Sequence, residues 1–132
     1  MSDEVKDAPE YMDYARQALA SAKLLLDAGD WVGAINRSYY SIFYAANATL
    51  ELQGLERSKH SGVMSLFREK YVKTDKIEVE YSKIYGKAFE SRNESDYERS
   101  EFPSKTDAEN ALDGAKRFVE RIERFLKESK SK

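Results

Sequence analysis

Apolar residues recur along this chain at alternating steps of four and three, the spacing of one helical face. Tyr11, Ala15, Ala18, Ala22 and Leu25 set the first stripe, widened by Leu19 and Leu26. Asp7 is placed to cap this helix, with Pro9 in its first turn, and Ala28-Gly29 ends it. Asp30 can cap a second helix running from about Trp31 to Gln53 and ending at Gly54. A short polar link, "LERSK", leads to a third helix over about Ser58 to Lys73, with Val63, Met64, Phe67 and Tyr71 as its stripe. A fourth is expected from about Lys76 to Tyr97, its stripe being Ile77, Tyr81, Ile84, Tyr85, Ala88 and Phe89, and Asp75 with Glu78 resembles a capping box. Pro103 interrupts the loop "ERSEFPSK". Thr106 and Glu109 then resemble a capping box for a fifth helix, with Ala111, Ala115, Phe118, Ile122 and Phe125 along one line. No segment shows the strict alternation of a half-buried strand. The pattern predicts an all-α fold, a five-helix antiparallel up-and-down bundle. Leu19, Leu26, Ile35, Tyr39, Phe43, Phe67, Phe118 and Ile122 are expected in its core.

The second helix does not divide as an ordinary surface helix would. Val32, Ile35, Tyr39, Ile42, Phe43, Ala46 and Leu50 form a broad apolar face. The opposite face carries Arg37, Tyr40, Ser41, Tyr44, Asn47, Ala48 and Glu51. A solvated face would be rich in Lys and Glu, whereas tyrosines among small residues suit an interface or a shallow groove. Arg37 adds a guanidinium, whose planar fork matches a carboxylate or a phosphate. Composition alone leaves two readings: an arginine paired with an acid of a neighbouring helix, or one presented to an anion. In the fourth helix, Arg92 and Asp96 stand four apart, either as a surface ion pair or with Asp96 orienting Arg92 or Arg37. The only histidine, His60, begins the third helix just past the end of the second. Arg37 lies about 15 residues before that end, or ~22 Å along the axis. His60 is therefore expected to be structural, and only a twofold dimer would bring it to Arg37.

Composition narrows the function classes. The 132 residues suit a single domain, with a core over about 8–128 and a fraying tail, "KESKSK". Without cysteine there is neither a disulfide framework nor a thiolate metal site, and no metal or cofactor is expected. No apolar run approaches the ~18 residues of a membrane span, and the acidic start is unlike a secretory leader, so the expected location is cytoplasmic. A net charge of −2 with signs mixed along the chain is not a global nucleic-acid footprint, so contact with a polyanion must be local.

The segments "NRSYYSIFYAANATLELQG", "SKHSGVMSLFREKYVK" and "SRNESDY" closely resemble the HEPN domain family, over residues 10–127. The resemblance implies a five-helix bundle, frequent dimerisation and a frequent partner, a minimal nucleotidyltransferase, many such pairs acting as toxin and antitoxin. Active members are metal-independent ribonucleases with an arginine, four to six residues, and a histidine. Arg37 fits the arginine, but Tyr44 stands where the histidine would be. An imidazole near pKa ~6.5 can exchange protons at neutral pH, whereas a phenol near ~10 is a poor base.

Three readings follow. The favoured one is a homodimeric binding module contacting RNA, a nucleotide phosphate or a partner nucleotidyltransferase through an Arg37/Tyr44 cleft. Its candidate contacts are Arg37, Tyr40, Ser41, Tyr44, Arg92 and Asp96, and its dimer face is Tyr40/Tyr44/Ala48. The second is a ribonuclease toxin with a substitute for the missing histidine, its candidate catalytic residues being Arg37 and Tyr44. The third is a dimeric scaffold without a ligand.

Overall fold

A computed structural model describes residues 6–55, 59–96 and 102–130, with the side chains of 93–96 outside the description. The described residues form helices α1 (Ala8–Asp27), α2 (Trp31–Glu51), α3 (His60–Phe67), α4 (Val79–Asp96) and α5 (Lys105–Lys130), and contain no strand. The all-α bundle read from the pattern is the observed fold. A π-helical turn, Arg68–Val72, prolongs α3 to nearly the predicted length.

Local chemistry sets the helix ends. Asp7 and Glu10 form a reciprocal capping box at α1, and Asp30 accepts from the Gly33 amide at α2. Gly29 (φ 84°) supplies the left-handed turn between them. Two predicted caps are displaced. Asp75 adopts a left-handed φ of 62° in the turn after the π segment, and α4 begins only at Val79. At α5 the reciprocal pair is Ser104 and Asp107 rather than Thr106 and Glu109.

α2 is the central helix, in contact with all four others. Its most extensive partner is α1. α1 buries Met12, Ala15, Ala18 and Ala22, and α2 buries Ala34, Ser38, Ser41, Ala45 and Ala48 at matching four–three spacing. Small side chains on both helices allow close approach of the axes, and α2 thereby loses most of its outer face to the protein interior. Larger residues fill the other side. Phe67, Tyr85 and Phe118 meet with ring centroids 5.4–5.8 Å apart, beside buried Tyr39, Ile42, Tyr71 and Ile122. Ile35, Tyr39, Phe67, Phe118 and Ile122 are core as predicted, whereas Leu19, Leu26 and Phe43 are half-buried and pack against it.

One connection departs from simple alternation. His60, at the start of α3, meets Tyr39, while Tyr71, beyond its end, bonds to the Thr49 carbonyl. α3 therefore runs in the same direction as α2. By His60, eight link residues after α2 ends, the chain is back beside the middle of α2. Tyr39 lies about 18 Å from the end of α2 at 1.5 Å per residue, within the ~26 Å that eight extended residues can span.

Candidate functional site

The return of the chain at α3 assembles a cluster at the middle of α2. His60 Nδ1 is 2.7 Å from the Tyr39 hydroxyl. The imidazole stacks on Phe43 at 4.1 Å and 8° between planes, and Tyr40 meets it edge-on at 5.5 Å. The expectation that His60 lies far from Arg37 within one chain is thus corrected. The Arg37 guanidinium sits 4.9 Å from the Tyr40 ring centre, so Arg37 and His60 flank the same phenol. The error came from treating the α2–α3 link as a tight turn.

α4 contributes a second cation. The Arg92 guanidinium lies 5.2 Å from the Tyr39 ring and 5.6 Å from that of Tyr40, each a cation–π contact. Phe89, one turn earlier, meets Tyr39 at 6.1 Å. Arg37, Tyr40 and Arg92, predicted as site residues, are therefore together, joined by Tyr39, Phe43 and His60.

Electrostatics fix the protonation states. Burial pushes the Tyr39 phenol well above its ordinary range, although the positive charge of Arg92 opposes that shift. Burial first, and Arg92 second, hold His60 below the usual histidine value. At neutral pH the pair is a neutral phenol beside a neutral imidazole. The Nε of Arg37 is buried without a hydrogen-bond partner, and Arg37 forms no ion pair with a described acid. Among the described residues, the paired-acid reading of Arg37 therefore finds no acid.

The remaining predicted positions separate. Tyr44 is half-buried and leans towards α1, 5.5 Å from the half-exposed Tyr14 and 6.0 Å from Tyr40. Ser41 is fully buried and its hydroxyl donates to the Ser38 carbonyl, so it is not presented to a ligand. Ala48 is also fully buried, under the packing of the monomer, and cannot form part of a dimer face. Asn47 donates to the Phe43 carbonyl. The Asp96 side chain lies outside the described residues, as does Tyr97. Sequence reasoning set His60 and Tyr39 apart from the site. The available signal was the link, long enough to carry the only histidine back to an aromatic-rich stretch of α2.

A small helical bundle with arginine, tyrosine and histidine gathered around its central helix is the class that fold and site define. The chain belongs to the HEPN domain family, whose model matches residues 8–125. A "UPF0332 protein" of Thermotoga maritima is 37% identical over 134 residues, covering 98% of both chains. Two proteins of Methanocaldococcus jannaschii bear toxin names. "Putative toxin MJ0605" is 34% identical, covering 89% of this chain and 87% of its own, and "Putative toxin MJ0142" is 26% identical, covering 92% and 82%. No described helix is long and apolar enough to cross a membrane.

Proposed function

We propose that the cluster of Arg37, Tyr40, His60 and Arg92 binds the phosphate backbone of single-stranded RNA, in a HEPN protein of toxin–antitoxin type. The observation that carries this reading is the position of Arg37. Its guanidinium shares the Tyr40 ring with that of Arg92, and no described carboxylate neutralises it. Two guanidiniums on one phenol ring make a local positive patch, and an anion bound there lowers its charge. Aromatic rings beside them offer faces on which bases stack, a sequence-tolerant mode of binding single strands. With a net charge of −2, attraction is confined to this patch, which suits modest, salt-sensitive affinity.

The names of the toxin relatives support a partner that restrains the protein, and the family resemblance makes a minimal nucleotidyltransferase its class. Half-exposed Tyr14, Tyr40 and Tyr44 form a tyrosine row beside the site. We infer that this row, without Ala48, is where two copies meet.

The test is binding of a short single-stranded oligoribonucleotide at several salt concentrations. Arg37→Ala should weaken binding and lower the slope of log K against log salt by about 1, as one phosphate contact is lost. Unchanged affinity and slope would return Arg37 to a purely structural role.

A further inference from the structure

α4 brings Arg92 to the site, and another arginine, outside the site, grips α4. Arg68 opens the π turn, where the Lys73 amide donates to the Arg68 carbonyl. Its side chain crosses to α4. Nε donates to the Ser82 hydroxyl at 2.8 Å, and Nη2 donates to the Ser82 carbonyl at 3.1 Å. The guanidinium reaches that carbonyl over Gly86, one turn further on, where a Cβ would stand 2.6 Å from Nη2. Arg68 forms no ion pair with a described acid, so its fork is engaged by a neutral serine of α4.

This grip bears on the site through the rotation of α4. Tyr85, Phe89 and Arg92 follow at steps of four and three, along one face of the helix. Tyr85 packs on Phe67 and Phe89 on Tyr39, which sets how deep the helix lies. Apolar packing is non-directional, whereas a pair of hydrogen bonds is angular and fixes the turn of the helix about its axis. Side-chain tips lie ~5–6 Å from a helix axis, so a rotation of about 20° moves them by about 2 Å. Arg92 stands 5.2 Å from the Tyr39 ring and 5.6 Å from that of Tyr40, and a cation–π contact fades beyond ~6 Å. The π turn also anchors to the other side of the site. Tyr71, three residues after Arg68, donates its hydroxyl to the Thr49 carbonyl of α2. One short segment thus ties α4 to the helix that carries Arg37, Tyr39 and Tyr40.

We infer that Arg68 is a positioning residue of the anion site: with Ser82 and Gly86 it sets the rotation of α4 that lays the Arg92 guanidinium against Tyr39 and Tyr40. The inference rests on the RNA-binding reading for its ligand. Arg68 acts through Arg92 and does not touch the phosphate. Gly86→Ala opens this clamp with little harm to the fold, because the group it displaces is the free end of a long side chain and alanine favours a helix over glycine. Arg68→Lys keeps the charge but lacks the planar fork that meets both Ser82 oxygens.

The experiment has two readouts. The first is an NMR pH titration of His60 without ligand. Tyr39 and Tyr40 of α2 and Arg92 of α4 surround this imidazole, with Arg37 beyond Tyr40. After burial, Arg92 is what holds His60 below its ordinary value. The midpoint should rise in Gly86→Ala and Arg68→Lys, as in Arg92→Gln, and should rise no further when Gly86→Ala is combined with Arg92→Gln. The second readout is binding of a short single-stranded oligoribonucleotide at several salt concentrations. Gly86→Ala and Arg68→Lys remove no charge, yet each should weaken binding and lower the slope of log K against log salt by up to about 1. Neither should change binding in the Arg92→Gln background. A His60 midpoint unmoved by Gly86→Ala would overturn the inference. Weakening that persists in the Arg92→Gln background would overturn it too, by placing Arg68 on the phosphate itself. A natural chain that binds no oligonucleotide, with the midpoints shifting as described, would remove the RNA reading and leave the positioning of Arg92 standing.

Discussion

Removing the Tyr39 hydroxyl tests the contact that brings α3 to the site. In Tyr39→Phe the ring keeps its volume and its packing among Tyr40, Phe43 and Phe89, so no cavity forms. What is lost is one hydrogen bond between a fully buried side chain and a half-buried imidazole. A neutral bond of this kind contributes a net ~1 kcal/mol, and water reaching Nδ1 would offset part of the loss. The expected cost is therefore about 0.5–1.5 kcal/mol, a few degrees of melting temperature at this chain length. His60→Phe removes the other partner while retaining an aromatic ring against Phe43. Denaturant melts of the natural chain, both single variants and the double variant complete a cycle. Its coupling energy should be roughly 0.5–1.5 kcal/mol, since each single variant already forfeits the same bond. Additivity within ~0.3 kcal/mol would mean that the residues do not touch, and the return of the chain at α3 would be wrong.

Three further outcomes check the rest of the account. Phe118→Ala should cost about 3–5 kcal/mol in denaturant melts, because its fully buried ring packs on Phe67, Tyr81 and Tyr85. A cost below ~1 kcal/mol would misplace the core. Arg121, almost fully buried, holds Glu78 at 2.7 Å, and this bond keeps the Glu78 carboxyl below its usual range. A depressed carboxyl stabilises above its unfolded value, and the benefit is lost as pH falls through the folded value. Glu78→Gln should therefore lower the melting temperature at pH 7, and the difference should close in acid; a gap independent of pH would refute the linkage. Light scattering should give about twice the 15.2 kDa chain mass if the Tyr14/Tyr40/Tyr44 row joins two copies, and Tyr14→Glu with Tyr44→Glu should return the monomer; a natural chain that is monomeric at high micromolar concentration would refute that interface.

The helices were legible because burial and period agree in α1, α3 and α5. Arg37, Tyr40 and Arg92 were legible as unusual residues for their positions. Ser41 and Ala48 were misplaced because a helix surrounded by others has no outer face. The clue was the small-residue series from Ala34 to Ala48, matching Ala15, Ala18 and Ala22 of α1. His60 was misplaced for a different reason. Periodicity fixes the rotation of a helix about its axis but not the path of the link before it. Eight residues can turn tightly or travel back along a neighbour, and only tertiary packing decides between them.

The single histidine makes the central claim directly measurable, because its imidazole Hε1 proton gives one NMR signal with no other histidine to confuse it. A short single-stranded oligonucleotide titrated into the protein should shift that signal saturably, and Arg37→Ala should move the titration to higher oligonucleotide concentration. A His60 signal that stays fixed while the oligonucleotide binds would contradict a shared site for Arg37, Tyr40, His60 and Arg92.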